Sequence, residues 1–270
     1  MLASTVLVAT DLTARSDRPL DRAALLAEQI GASVTVAHVV EGPGFDRERD
    51  EEILHAVRDA LPPSLSEATV ISDHGAAPKV LAALAAGQGA DLIVTGAGRY
   101  NGLSDFFLGT AVDHLVRHAE QPVLVVKRRA DGPYRSILVA TDYSEGAQQA
   151  FQTALRLFPD ARFEVVNAYS VPFEARMPSA DVAEAAREEA EAEMAAFVKR
   201  AAPARPDAIH SLVLKGDVET VVEQRVRRDA PDLVVIGSHG RSGLVQATLG
   251  SQASTLLKRL PCDVLVVRQT

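Results

Sequence analysis

The chain lacks tryptophan, holds a single cysteine, Cys262, and draws only 4% of its residues from the aromatics. One thiol excludes an intramolecular disulfide and any multi-cysteine metal site, and it suits a reducing compartment. With so few rings the core has to be aliphatic. The apolar share of 47% is ordinary for a globular protein. Positive charge is also short: 28 Lys and Arg stand against 36 Asp and Glu, a formal charge of −8. Such a chain repels nucleic-acid backbones, so DNA and RNA are not expected partners. No apolar run reaches the ~18 residues of a membrane span, and the first residues carry no basic segment ahead of an apolar one. Neither a membrane partner nor a signal peptide is expected, and the expected location is the cytoplasm. Three enzyme signatures are missing as well. No Gly-Lys-[Ser/Thr] closes a glycine loop, no Gly-x-Gly-x-x-Gly follows a first strand, and there is no Gly-x-Ser-x-Gly elbow.

What is present is a repeat. Thr5-Val-Leu-Val-Ala-Thr-Asp11 matches Ser136-Ile-Leu-Val-Ala-Thr-Asp142 at an offset of 131 (142 − 11), and Val34 to His38 matches Phe163 to Asn167 at 129 (167 − 38). From there on the offset is 141: Gly75 pairs with Gly216, Gly96 with Gly237, Gly109 with Gly250, and Val123–Val126 with Val264–Val267. The second copy carries about twelve extra residues around Tyr169–Ala202, which read as a loop and a long charged helix, Ala180–Arg200. A chain of 270 residues suits two domains, given ~100–200 residues for each. The expected domains are residues 1–130 and 133–270, joined by Arg128–Tyr134 with its Asp131-Gly132-Pro133 turn.

Within each copy short β-branched runs alternate with amphipathic segments such as Ala147, Ala150, Phe151 and Ala154. Continuous apolar strands alternating with helices indicate an α/β fold: two tandem doubly wound domains, each a mainly parallel sheet flanked by helices. The closing strands, Pro122–Lys127 and Asp263–Arg268, are apolar edges. Pairing them would pack the domains as an intramolecular pseudo-dimer.

The chemistry is expected beyond the carboxyl ends of the strands. There Asp91-Leu-Ile-Val-Thr-Gly96 leads to Leu108-Gly109-Thr110. Likewise Asp232-Leu-Val-Val-Ile-Gly237 leads through Ser238-His239-Gly240-Arg241-Ser242-Gly243 to Leu249-Gly250-Ser251. A glycine loop followed by a hydroxyl residue opening a helix is a phosphate cradle, because free amides and the helix dipole attract anions. Asp142 would repel phosphate, but it can accept hydrogen bonds from a ribose hydroxyl or a base amine.

The spacing Gly237-x2-Gly240-x9-Gly250-Ser251, with the Ala-Thr-Asp ending of the first strand, resembles the ATP-binding signature of the universal stress protein family, one family domain per half. The resemblance implies a five-stranded sheet in each domain and bound ATP, alone or with Mg. It implies Ala140, Thr141, Asp142 and Ala168 at base and ribose, with Gly237 beside the ribose. Gly240, Gly250 and Ser251 fall at the phosphates, with Arg241 and Ser254 as additions. In the first half the corresponding residues are Asp11, Val39, Gly96, Gly109 and Thr110, but Arg99 stands where Gly240 would be. That site is expected to be weaker or altered.

Plainer roles compete. Asp11 and Asp142 could cap the following helices. His114 and His118, four apart on one helix, lack an evident third metal ligand. Cys262 reads as a buried small hydrophobe, and Ala180–Arg200 as a solvated face. Three functions remain in play: a nucleotide-dependent binding or signalling module in the stress response, a nucleotide-independent interaction protein with vestigial sites, and a slow ATP hydrolase. A homodimer or an unidentified protein partner is compatible with each.

Overall fold

The computed structural model describes residues 4–13, 16–41, 47–97, 110–171, 180–238 and 249–269. The chain divides into two compact units, residues 1–133 and 134–269. The first contains β1 (Thr5–Thr10), α1 (Asp17–Ile30), β2 (Ser33–Val40), α2 (Arg47–Asp59), β3 (Thr69–His74), α3 (Ala77–Gly87), β4 (Leu92–Gly96), α4 (Thr110–His118) and β5 (Val123–Val126). The second repeats the pattern: β6 (Ser136–Ala140), α5 (Glu145–Leu157), β7 (Arg162–Tyr169), α6 (Ala180–Ala201), β8 (His210–Lys215), α7 (Val218–Asp229), β9 (Leu233–Gly237), α8 (Ser251–Arg259) and β10 (Asp263–Val267).

Each sheet is parallel. Its strand order is β3-β2-β1-β4-β5 in the first unit and β8-β7-β6-β9-β10 in the second. Strand order therefore reverses beside β1 and beside β6, which is where parallel sheets take ligands. The central strands are buried on both faces, which is why they read as unbroken apolar runs. Val6, Leu7, Val8, Leu92, Ile93 and Val94 are sealed in the first unit, and Val139, Leu233, Val234 and Val235 in the second.

Two devices recur in both units. Asp91, just before β4, accepts the Thr5 amide at 3.0 Å and donates its own amide to the Thr5 carbonyl at 2.8 Å. Asp232 likewise accepts the Arg135 and Ser136 amides at 2.8 and 2.9 Å and donates to the Ser136 carbonyl. These carboxylates satisfy strand-end donors at the edge of the sheet opposite the site. Gly75 and Gly216 close β3 and β8 with φ of 135° and 149°, a region that favours glycine. Their amides bond Val40 and Tyr169 carbonyls.

The units differ where the sequence has its surplus: α2 has 13 residues and α6 has 22. The inner face of α6, with Ala190, Met194, Phe197 and Val198, is buried, while Glu184, Glu188, Glu189 and Glu191 are exposed. Below it Phe197 stacks on Phe151, with centroids 6.2 Å apart, and Phe151 meets Phe163 at 5.7 Å. Tyr134 is 1% exposed and begins the second unit. Its hydroxyl donates to Asp263 at 2.6 Å and its ring meets Phe158 edge-on. Cys262 is a buried free thiol.

Candidate functional site

At the carboxyl ends of β6, β7 and β9 lies a cavity of about 240 Å³. Its rim is built by three pieces of chain. β6 runs out at Ala140, and Thr141 and Asp142 turn the chain into α5. The Thr141 amide bonds the Val166 carbonyl at 2.9 Å, and buried Asn167 donates Nδ2–H to the Thr141 carbonyl at 2.8 Å, so this peptide is held from both sides. Two side-chain turns follow: Thr141 Oγ1 accepts the Tyr143 amide at 2.9 Å, and Asp142 Oδ1 accepts the Ser144 amide at 3.1 Å. They leave Tyr143 at φ 66°. The true N-cap of α5 is Ser144, whose hydroxyl accepts the Ala147 amide at 3.1 Å. Asp142 is thus two residues too early to be the cap, and it lines the cavity.

The second piece is the end of β9. Gly237 lines the cavity, yet its lack of a side chain answers to packing. A Cβ there would lie 3.1 Å from the Gly146 carbonyl carbon and 3.2 Å from the Ala147 amide, both in the first turn of α5. The third piece is the start of α8. Ser238 is buried; its amide bonds the Val267 carbonyl and its carbonyl receives the Gly250 amide, each at 2.9 Å. Gly250 is the N-cap residue, with no side-chain cap and no acidic residue in the first turn. The first intrahelical bond runs from the Ser254 amide to the Gly250 carbonyl. The amides of Ser251, Gln252 and Ala253 precede it, and all three residues line the cavity.

The candidates Ala140, Thr141, Asp142, Ala168, Gly237, Gly250 and Ser251 therefore surround one cavity. Ser254 sits one turn into α8 and is not among the lining residues. Gly240, Arg241 and His239 lie outside the described residues. Val166, Val222 and Leu256 line the cavity as well, and an apolar residue in a strand or helix gives no local sign of facing a cavity rather than the core.

The first unit has its own cavity, of about 530 Å³, at the ends of β1, β2 and β4. Asp11, Val39 and Gly96 line it. Thr110 opens α4, and Gly109 and Arg99 lie outside the described residues. Asp11 accepts Ser16 Oγ–H at 2.6 Å, Thr13 Oγ1–H at 2.7 Å and the Thr13 amide at 3.0 Å. Partial burial pushes this carboxyl's pKa up, and those hydrogen bonds outweigh it and hold the carboxyl below its ordinary value. His38 replaces Asn167: its Nδ1 lies 3.0 Å from the Thr10 carbonyl, which can only accept, so Nδ1 carries the proton. Thr95 replaces Ile236, and Glu41 adds a second carboxylate to the rim. His38 was visible beforehand as the partner of Asn167 in the repeat.

His114 and His118 are neighbours, with ring centroids 4.3 Å apart. Burial, then the neighbouring His118 and Lys79, hold the His114 pKa below the usual imidazole range. No group of three or more His, Cys, Asp or Glu that could hold a metal ion occurs among the described residues, and no helix among them is long and apolar enough to cross a membrane.

The same repeat emerges from comparison with known proteins. The model of the universal stress protein family matches residues 3–127 and again 133–268. A universal stress protein of Methanocaldococcus jannaschii is 29% identical over 53% of this chain and 86% of its own length. One from Mycobacterium tuberculosis is 30% identical over 67% of this chain, and that alignment spans 63% of the mycobacterial protein. Among solved structures, a universal stress protein from Archaeoglobus fulgidus superposes with a TM-score of 0.73 at 18% identity, covering all of both chains. A protein described as a putative universal stress protein, from Pseudomonas aeruginosa, gives 0.67 at 20% identity, covering 99% of this chain and 94% of its own. With a family domain in each half and the whole-chain fold of such proteins, the chain belongs to the universal stress protein family as two tandem domains.

Proposed function

We propose that the second unit binds an adenine nucleotide, ATP in the first instance, and that the protein is a cytoplasmic nucleotide-dependent binding or signalling module. The observation that carries this is the start of α8, with Gly250 as N-cap and no acidic residue in its first turn, at the same cavity as Asp142. Amides ahead of the first helical bond, at the positive end of the dipole, suit phosphate oxygens. Asp142, across the cavity, suits the hydroxyls or amine of a nucleoside. A volume of about 240 Å³ is at the small end for ligand pockets. It fits the nucleoside end, with the phosphates running along Gly250 and Ser251. Asp142 is the only ionisable side chain among the described lining residues. Without an acid–base pair the arrangement favours binding over hydrolysis.

Ser251→Asp tests the orientation. A carboxylate in the first turn stabilises a helix, so α8 should persist, while ATP affinity should fall at least about tenfold by like-charge repulsion. Adenosine affinity should not change. Calorimetry showing ATP bound equally well by the variant would remove the phosphates from α8.

A further inference from the structure

Beside the second cavity stands a side chain that lines no part of it. Tyr143 lies between Asp142 and the α5 cap Ser144, at φ 66°. The first unit has Leu12 at the equivalent place, at φ 57°, with the same pair of turns: the Leu12 amide to Thr10 Oγ1 and the Thr13 amide to Asp11 Oδ1. The left-handed backbone therefore belongs to the Thr-Asp-x turn, whichever residue follows the aspartate. What differs is where the side chain goes. Leu12 is 37% exposed. Tyr143 reaches α6: its hydroxyl donates to the Ala190 carbonyl at 2.9 Å, and its ring meets Phe197 with centroids 5.8 Å apart. Ala190 and Phe197 are both on the buried face of α6, the helix in which the second unit is longer than the first.

We propose that Tyr143 is a positioning residue that ties the Thr141–Asp142 turn of the nucleotide cavity to helix α6, so that occupancy of the cavity is felt along α6. This rests on the nucleotide reading of that cavity. The physical route is short. A ligand engaging Asp142 restrains a turn held by two side-chain bonds to the backbone. The restrained turn fixes Tyr143 Cα, and the ring and hydroxyl transmit the restraint to the Ala190 carbonyl and Phe197. The linkage is reciprocal: whatever steadies α6 tightens nucleotide, and nucleotide steadies α6. The exposed Glu-rich face of α6 is then where a change of nucleotide state reaches the surface of this unit.

The test is amide hydrogen exchange along α6 in the full chain, with and without ATP, for the native protein, Tyr143→Phe and Tyr143→Leu. ATP should slow exchange around Ala190 in the native protein. Tyr143→Phe keeps the ring and loses the hydroxyl bond. Without nucleotide its α6 amides should exchange about three- to tenfold faster, as expected for one lost hydrogen bond. It should still bind ATP, but without the ATP-induced slowing of α6. Tyr143→Leu, copying Leu12, should show the same loss with faster exchange still. Native-like slowing of α6 by ATP in Tyr143→Phe would overturn the coupling, and so would ATP binding to the native protein with no change along α6. If the native protein binds no adenine nucleotide, the assignment of the cavity falls, and the coupling with it.

Discussion

The two cavities stand at the same place in two copies of one fold, and they differ in what their aspartates are free to do. In the first unit Asp11 is folded into its own turn, accepting from Ser16, the Thr13 hydroxyl and the Thr13 amide. In the second, Ser144 is the helix cap, its hydroxyl accepting from Ala147, and Asp142 Oδ1 accepts the Ser144 amide at 3.1 Å. The capping serine stands five residues after the aspartate in the first unit and two after it in the second. The linings differ elsewhere too. The first cavity is the larger, with His38 in place of Asn167, Thr95 in place of Ile236 and Glu41 as a second carboxylate.

The largest effect is expected where packing and binding coincide. Gly237→Val places a branched side chain against the first turn of α5, where even a Cβ lies 3.1 Å from backbone. It should cost about 3 kcal/mol of stability, read as a lower denaturant midpoint for the second unit before any ligand is added. A variant of native stability would restore the view that this glycine serves only the ligand. Next comes the aspartate pair. Asp142→Ala should weaken ATP about tenfold or more, the usual range for a hydrogen bond to a charged group, while Asp11→Ala leaves the tighter site intact. Two sites of equal affinity in a titration, or loss of binding on Asp11→Ala alone, would reverse the comparison.

The smallest effect concerns pH. Because the folded pKa of Asp11 lies below its ordinary value, its bonds contribute stability above the unfolded carboxylate pKa. That contribution is lost as pH falls through the lower folded value. Asp11→Asn should therefore destabilise the first unit slightly at neutral pH, by less than about 1 kcal/mol for so exposed a group. The gap to the native protein should close in strong acid. A gap that widens on acidification would contradict the hydrogen-bond account.

The repeat, the strand–helix alternation and part of the lining of the second cavity were legible in the sequence. They depend on features that translate directly into geometry: period-specific burial, glycine spacing, and an aspartate ending a strand. Other assignments needed the fold. Gly237 reads like a ligand glycine, but its neighbour is a helix 91 residues earlier in the chain (237 − 146), a proximity no local pattern encodes. Asp11 and Asp142 read as equivalent, and only the closed turns separate them. Asp91 and Asp232 opened both motifs without an evident purpose until their bonds to the first strands appeared. Gly240 and Arg241, with Arg99 opposite them in the repeat, remain where the sequence puts them, outside the described residues.

The sequence by itself determined that there are two parallel-sheet domains, which strand ends carry the candidate sites, and that one glycine loop keeps the full spacing and the other has Arg99 within it. Those properties follow from hydrophobic period and residue chemistry along the chain. The tertiary structure alone decided that α8 begins at the cavity, that Asp11 is bonded within its own turn by Ser16 and Thr13, and that Tyr143 bonds to the longer helix α6. A periodic pattern says which face of an element is buried, but the element it is buried against is chosen only when the whole sheet closes.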